Sequence, residues 1–185
     1  MAQHHARHKG IQTHRIEIKL RDINQLFNTM DPSPFYEKDL DADAEEFIVS
    51  WAQEIPLHEP VVLTIHLSQP QSSQLTDAMV EEAVQHYFSY RENLSRLEFG
   101  RMMADGRVSL LIGLAFLSVC LFAAGLVKNQ RWSTAGEVVQ ESLTIAGWVA
   151  MWRPLQLYLY DWWPLRRRWK VYGKMRGMRV EIVRE

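Results

Sequence analysis

The sequence has very little cysteine, which limits what can hold the chain together. Cys120 is the only cysteine among 185 residues, so neither a disulfide within one chain nor a cysteine-based zinc cluster can form. Glycine is also scarce, at nine residues, and no phosphate-binding glycine loop or nucleophile elbow is present. Charge of neither sign prevails, because 21 Lys and Arg face 22 Asp and Glu. No general attraction to nucleic acid is therefore expected.

The N-terminal residues lack the apolar stretch of a secretory signal peptide. They read MAQHHARHKG, and the three histidines at positions 4, 5 and 8 could suggest a metal site. Chain termini are commonly solvated and poorly ordered. We therefore predict a flexible tail over residues 1–14, with no metal and no other cofactor.

Residues 108–127, VSLLIGLAFLSVCLFAAGLV, lack charge altogether. A helix of 20 residues is about 30 Å long, which matches the hydrocarbon core of a bilayer. This run therefore predicts a membrane span. A second apolar run at 143–163 ends in Trp162 and Trp163 and is followed by a basic segment, which is typical of the cytoplasmic end of a span. A register of 132–152 is the second choice, because it brings Glu137 and Glu141 into the bilayer edge.

Cations near the predicted spans lie mostly on one side. Residues 88–107 contain four Lys and Arg, residues 164–183 contain seven, and the loop 128–142 contains two. By the positive-inside rule both flanks are cytoplasmic and the loop is outside. Both termini are therefore expected in the cytoplasm, with the lipid bilayer as a partner.

Arg153 interrupts the second predicted span and is followed by Pro154. A buried charge in a bilayer must snorkel, pair or face protein, and Pro154 is expected to kink the helix. Asp161 is eight residues further on, about 12 Å along a regular helix, so a direct pair with Arg153 is not expected. A structural role is the main reading of Arg153; an ion or substrate contact is the alternative.

The remaining residues predict a small cytoplasmic domain. Apolar residues alternate in three segments, which is typical of half-buried strands; they are Ile16, Ile18 and Leu20, then Val61, Leu63, Ile65 and Leu67, then Met178, Val180 and Ile182. The fold class is α+β, with a small β-α-β-type domain of two N-terminal strands and one C-terminal strand on a two-helix transmembrane hairpin. The boundaries are 1–14, 15–107, 108–163 and 164–185.

Two helices belong to this domain. The first has an apolar stripe of Ala44, Phe47, Ile48, Trp51, Ala52 and Ile55, with Asp43 at the N-cap position and Pro56 at the end. The second runs from about Asp77 toward the membrane with a seam of Val80, Val84, Tyr87, Tyr90, Leu94 and Leu97. The seam serves the local core or self-association. Gly100 and Asp105-Gly106 are expected to break this helix.

The loop FNTMDPSPFYEKDLD is the main candidate for recognition in the soluble part. Pro32 and Pro34 restrict its backbone, Asp31 can cap a turn, and Phe35 either plugs the domain or contacts a partner. The acidic run that follows starts like a calcium loop, but Ala44 and Ser50 replace the required glycine and glutamate. The candidate interaction residues are Asp31, Pro32, Pro34, Phe35, Arg153 and Asp161.

Three segments together, LFNTMDPSPFYEKDLDADAEEFI, GRVSLLIGLAFL and GWVAMWRPLQLYLYDWWPLRRR, resemble an uncharacterised family of small bacterial two-span membrane proteins. The resemblance covers nearly the whole chain beyond residue 14. It implies a location in the bacterial cytoplasmic membrane and no particular activity.

Two functions remain. The first is a non-enzymatic scaffold or accessory subunit of a membrane complex, because no catalytic constellation is apparent. The alternative is an oligomeric channel or transport component in which Arg153 faces an interior shared by several copies, since two spans cannot enclose a path alone. Homo-oligomerisation is compatible with both, and an enzyme ranks third.

Overall fold

The computed structural model describes residues 13–68, 75–129 and 134–184. In chain order its elements are β1 (His14–Leu20), two 3-10 turns (Ile23–Leu26 and Phe35–Glu37), α1 (Ala42–Glu54), β2 (Val61–Leu67), α2 (Asp77–Asn129), α3 (Thr134–Gln156), a π-helical turn (Leu157–Asp161), α4 (Trp162–Met175) and β3 (Arg179–Arg184). Most of the predicted tail, with its three histidines, and Trp132 of the predicted outer loop lie outside these ranges.

The chain divides into two compact units. Residues up to Leu94 and from Arg168 onward form the first, which we name the sheet domain, and Ser95–Arg167 form the second, which we name the helical unit. The predicted class of mixed helices and a small sheet is confirmed.

The sheet contains three parallel strands in the order β1-β2-β3, with β2 in the centre. Ile16 is opposite Leu63 on the first ladder, and Leu63 is opposite Val180 on the second. All three predicted strands therefore form, and β3 joins the sheet although more than 100 residues separate it from β2. The sheet domain thus contains residues that precede the helical unit in the sequence and residues that follow it.

One face of the sheet carries the core of the domain. Ile16, Leu63 and Ile65 are buried there. The same hydrophobic cluster includes residues of three helices: Ile48 and Ala52 of α1, Val80, Val84 and Phe88 of α2, and Val171, Tyr172 and Met175 of α4. Burial of these apolar side chains is the main force that holds α4, late in the sequence, in the N-terminal domain.

Helix α1 begins two residues earlier than predicted. Its N-cap is Asp41, whose side chain accepts a hydrogen bond from the Asp43 amide at 3.1 Å, so the prediction of Asp43 as N-cap is wrong. The entry is fixed because Leu40 is buried and bridges to Phe27. On the stripe, Ile48 and Ala52 are buried, whereas the large rings of Phe47 and Trp51 are about half exposed.

Helix α2 is one element of 53 residues, so the predicted break at Gly100 and Gly106 is wrong. Glycine in a helix costs only about 1 kcal/mol relative to alanine, and tertiary packing offsets that cost. At Gly106 a Cβ atom would lie 2.7 Å from Leu157 Cδ2, so only glycine allows this contact without a shift. Of the predicted seam, Val80, Val84 and Tyr87 are buried in the sheet domain.

Among the described residues one helix is long and apolar enough to cross a membrane, and it lies within Asp77–Val127. The predicted second span at 143–163 is not another such helix; it is divided between α3, which ends at Gln156, the π-helical turn and the start of α4. Pro154 lacks the amide donor that a regular helix requires, which accounts for the irregularity just beyond it.

Helix α3 packs antiparallel to α2 within the helical unit. Glycines mark the closest approaches of the two helices. A Cβ atom at Gly147 would contact Leu117 and Cys120, and one at Gly113 would contact Ala150, Met151 and Pro154. A Cβ atom at Gly106 would contact Leu157 and Tyr158. Small residues at such points let two helix backbones approach closely. The free Cys120 is buried in this contact.

Candidate functional site

The segment of residues 27–41 is a closed loop held at its base and in its middle. At the base, the Asn28 amide donates to the Asp39 carbonyl at 2.8 Å and the Asp41 amide donates to the Leu26 carbonyl at 2.9 Å. In the middle, Asp31 accepts from the Ser33 amide at 2.9 Å and from the Asp39 amide at 2.7 Å. One carboxylate therefore fixes two turns of the loop, which is a common use of aspartate in turns.

These hydrogen bonds act on the charge of Asp31. The backbone amides of Asp39 and Ser33 favour the carboxylate and lower the pKa of Asp31, and nearby Lys38 adds to the effect. Asp31 thus stays ionised and keeps the loop closed at neutral pH. Together with α2 the loop lines a surface cavity of about 290 Å³, formed by Asp31, Ser33, Glu37, Asp39, His86, Tyr87 and Tyr90.

The other three residues predicted in this loop have different surroundings. Pro32 and Pro34 are exposed. Phe35 is half-buried against the core, and its ring centroid lies 4.8 Å from that of Phe27. The ring of Phe35 therefore contributes to packing, which leaves the two prolines and the neighbouring Tyr36, which is exposed, as the accessible part of the loop.

Arg153 and Asp161 form an ion pair, contrary to the prediction that they would be too far apart. The Arg153 Nη1 atom lies 3.8 Å from Asp161 Oδ2. The π-helical turn between them adds a residue to the helical turn, which changes the register and shortens the separation along the axis. Arg153 is 69% exposed and Asp161 36%, so the pair lies at the surface of the helical unit.

The contacts of its neighbours set the position of Arg153 along α2. Pro154 packs against Gly113, and Leu157 packs against Gly106. Arg153 is therefore level with about Gly113, which is roughly 7.5 Å along the axis from Val108, the start of the apolar run. Its partner Asp161 follows in the chain, toward the charged end of that run.

The sheet domain contains a polar cluster that the sequence analysis missed. Glu45 of α1 is its centre: it accepts hydrogen bonds from the hydroxyls of Tyr87 at 2.7 Å and Tyr172 at 2.8 Å, and from Arg91 Nε at 2.9 Å. Arg168 Nε adds a contact of 3.3 Å to the Tyr172 oxygen. We name Glu45, Tyr87, Arg91, Arg168 and Tyr172 the Glu45 cluster; it connects α1, α2 and α4.

The surroundings of the cluster raise the pKa values of Tyr87 and Arg91. Burial and the hydrogen bond to Glu45 raise the pKa of Tyr87 well above its usual value near 10. For Arg91, burial lowers the pKa, but the hydrogen bond to Tyr172 and the charge of Glu45 raise it by a larger amount. The net change in the Arg91 pKa is therefore upward. Tyr87 and Arg91 therefore keep their protons at physiological pH, which suits these two groups to structure rather than to proton transfer.

The sequence pattern relates only some residues of this cluster to one another. Tyr87 and Arg91 have helical i, i+4 spacing, which places them on one face of α2. Glu45 and Tyr172 are 127 residues apart, and no spacing relates them. In the sequence, Glu45 is only one member of the acidic run that begins like a calcium loop.

No protein-family model matches the chain, and neither the curated proteins nor the solved structures include a significant match. Within the residues that the structure describes, no group of three or more His, Cys, Asp or Glu side chains is placed to hold a metal ion.

Proposed function

We propose that the protein is an integral membrane protein in which the helical unit anchors the sheet domain at the cytoplasmic face of a bacterial inner membrane. The sheet domain then serves as a non-enzymatic scaffold or accessory subunit of a membrane complex. One observation carries the proposal: only 17% of the most apolar window of α2 is buried. In water such exposure of Leu111, Ile112 and Phe122 is costly, whereas in lipid it costs nothing.

The path of the chain supports two crossings. Residues before Ser95 and after Arg167 belong to one compact unit, so the chain between them leaves the sheet domain and returns to it. A folded domain lies on one side of a membrane, and the number of crossings is therefore even. If the apolar part of α2 crosses once, α3 and the π-helical turn supply the second crossing, and their antiparallel packing on α2 fits this path.

The exposed side chains of the second segment also fit lipid. Trp148, Trp152, Tyr160 and Trp163 are each at least 63% exposed. Large aromatic rings are preferred near the membrane interface, and the cations after Trp163 favour a cytoplasmic location of that end. The position of Arg153, about 7.5 Å from the start of the apolar run, lets its side chain reach the cytoplasmic headgroups.

The surroundings of the polar groups favour a scaffold over the oligomeric channel. Arg153 has a carboxylate partner, Asp161, in its own chain, so it does not need a second copy or a permeating anion to balance its charge. In the sheet domain, Glu45 and Arg91 hold helices together. The exposed pair of Phe47 and Trp51, with ring centroids 6.2 Å apart, is a surface that a partner protein can contact.

Alkaline extraction of membranes tests the anchor. We expect the full chain to stay in the membrane pellet at pH 11 and to be released only by detergent, because its apolar helices lie in the bilayer core. As a matched comparison, a chain with Leu111→Asp, Phe116→Asp and Val119→Asp should lose this resistance. Release of the unmodified chain by alkali alone would contradict the proposal.

A further inference from the structure

The helical unit has an open groove on its surface that no packing within the unit fills. The groove has a volume of about 540 Å³ and lies between α2 and α3. Its wall is mainly apolar, with Val108, Ile112, Gly113 and Phe116 from α2 and Ala150 from α3, and Asp105 and Ser109 also line it. A groove of this size is large enough for a segment of an acyl chain.

Charged groups lie along this groove. Arg153 follows Ala150 by three residues and therefore lies on the same face of α3. Asp161 holds the guanidinium from one side at 3.8 Å and leaves it 69% exposed. On α2, Asp105 lines the groove, and no cation in the described part of the chain pairs with it. A cation and an unpaired carboxylate thus flank an apolar channel.

We propose that this groove binds one glycerophospholipid, preferably one with an amine in its headgroup. Arg153 contacts the phosphate, Asp105 attracts the amine, and an acyl chain lies along Ile112 and Phe116. Arginine suits the phosphate because its planar fork matches phosphate oxygens. Two carboxylates near the site, Asp105 and Asp161, disfavour a headgroup that is only anionic. The inference rests on the proposed membrane anchor and adds a specific lipid to it.

The test is native mass spectrometry of the full chain in mild detergent, with phosphatidylethanolamine and phosphatidylglycerol added in equal amounts. We expect the unmodified chain to retain one phosphatidylethanolamine in preference to phosphatidylglycerol. Arg153→Gln should weaken retention about tenfold, which corresponds to loss of one hydrogen-bonded charge pair. Its control is Arg107→Gln, since Arg107 is also exposed on the helical unit, but no groove-lining position of α2 lies three or four residues from it, as Ala150 does from Arg153.

A second pair of variants fills the groove without changing charge. Val108→Trp places an indole in the wall and should reduce retention, whereas Leu111→Trp, at a position that is 69% exposed and outside the groove, should not. Equal retention by each variant and its control overturns the proposal, and so does equal or better binding of phosphatidylglycerol. A lipid-free dimer that Val108→Trp dissociates would assign the groove to a second copy and overturn it too.

Failure of the lipid site and failure of the membrane anchor are separable. A chain that resists alkaline extraction but retains no phosphatidylethanolamine above its controls refutes only the lipid site. A chain that alkali releases refutes the anchor, and the lipid site with it.

Discussion

Glu45 is the residue on which the helices of the sheet domain converge. Its two carboxylate oxygens accept from two tyrosine hydroxyls and from Arg91, whose Nη2 atom is also 2.8 Å from Glu45 Oε1. The side chains of Glu45 and Arg91 are 16% and 26% exposed. Water can therefore replace little of the charge compensation and hydrogen bonding that each side chain gives the other. Removing one charge leaves the other partly buried without compensation.

Glu45→Gln should therefore lower the free energy of unfolding by about 1–3 kcal/mol. Glu46→Gln is the control, because Glu46 is the next residue on α1 and is exposed. Thermal unfolding of the full chain in mild detergent, followed by near-ultraviolet circular dichroism, measures both. If the two variants unfold at the same temperature, the cluster contributes nothing to stability.

Tyr87 gives the cluster a pH dependence with a definite sign. Burial and the hydrogen bond to Glu45 raise its pKa, so the folded chain keeps the Tyr87 proton at pH values where the unfolded chain has lost it. The stabilisation is complete below the unfolded pKa near 10 and declines as the pH rises above it. Tyr87→Phe should weaken this alkaline decline, whereas Tyr90→Phe, at a position that is 56% exposed, should leave it unchanged. Unfolding curves between pH 8 and pH 11.5 measure the difference, and identical slopes for the two variants would contradict the assignment.

At the scale of elements, β3 shows how a short strand far along the chain completes the domain. It pairs in parallel with β2, and Val180 faces the core opposite Leu63 while Val183 is 40% exposed. The two valines lie on opposite faces of one strand, because side chains alternate along it.

Val180→Asp should destabilise the sheet domain by at least about 3 kcal/mol, because it buries a carboxylate without a partner. Val183→Asp should change stability by less than about 1 kcal/mol, since the Val183 side chain is itself 40% exposed. Hydrogen exchange of the β2 amides in the full chain reads out the domain directly. Equal protection of β2 in both variants would mean that β3 is not part of the sheet in solution.

At the scale of the whole molecule, the sheet links the sequence before the helical unit to the sequence after it. Because β1 and β3 flank the same central strand, both must be on the same side of any membrane that the chain crosses. The distribution of Lys and Arg independently predicts that this side is the cytoplasm, as the proposed function requires.

Reporter fusions at residues 132 and 185 test this topology. We expect an enzyme that is active only outside the cytoplasm to work at residue 132 and to be silent at residue 185, with the opposite result for a cytoplasmic reporter. A fusion after residue 94, which precedes the apolar run, is the control for the cytoplasmic side. An external reporter that is active at residue 185 would exclude two crossings.

Local patterns in the sequence were enough to predict the three strands, α1 and the apolar run of α2. Alternation in β1 and the uncharged stretch at 108–127 each express a preference that depends only on neighbours in the chain. The helix breaks expected at Gly100 and Gly106 were wrong because the helix preference of glycine is weak, and at Gly106 the tertiary contact with Leu157 outweighs it.

Only the tertiary structure decided where the polar groups meet. The Arg153–Asp161 pair depends on a π-helical turn. The periodicity of the sequence does not predict that this turn forms or where it lies. The Glu45 cluster joins residues that are 127 positions apart, and the groove exists only because α3 lies against α2. The sequence by itself determined the long apolar segment and the strands, because hydrophobic period and charge are local properties. The ion pair, the Glu45 cluster and the groove depend on packing between segments that are distant in the sequence, so only the folded chain brings their residues together.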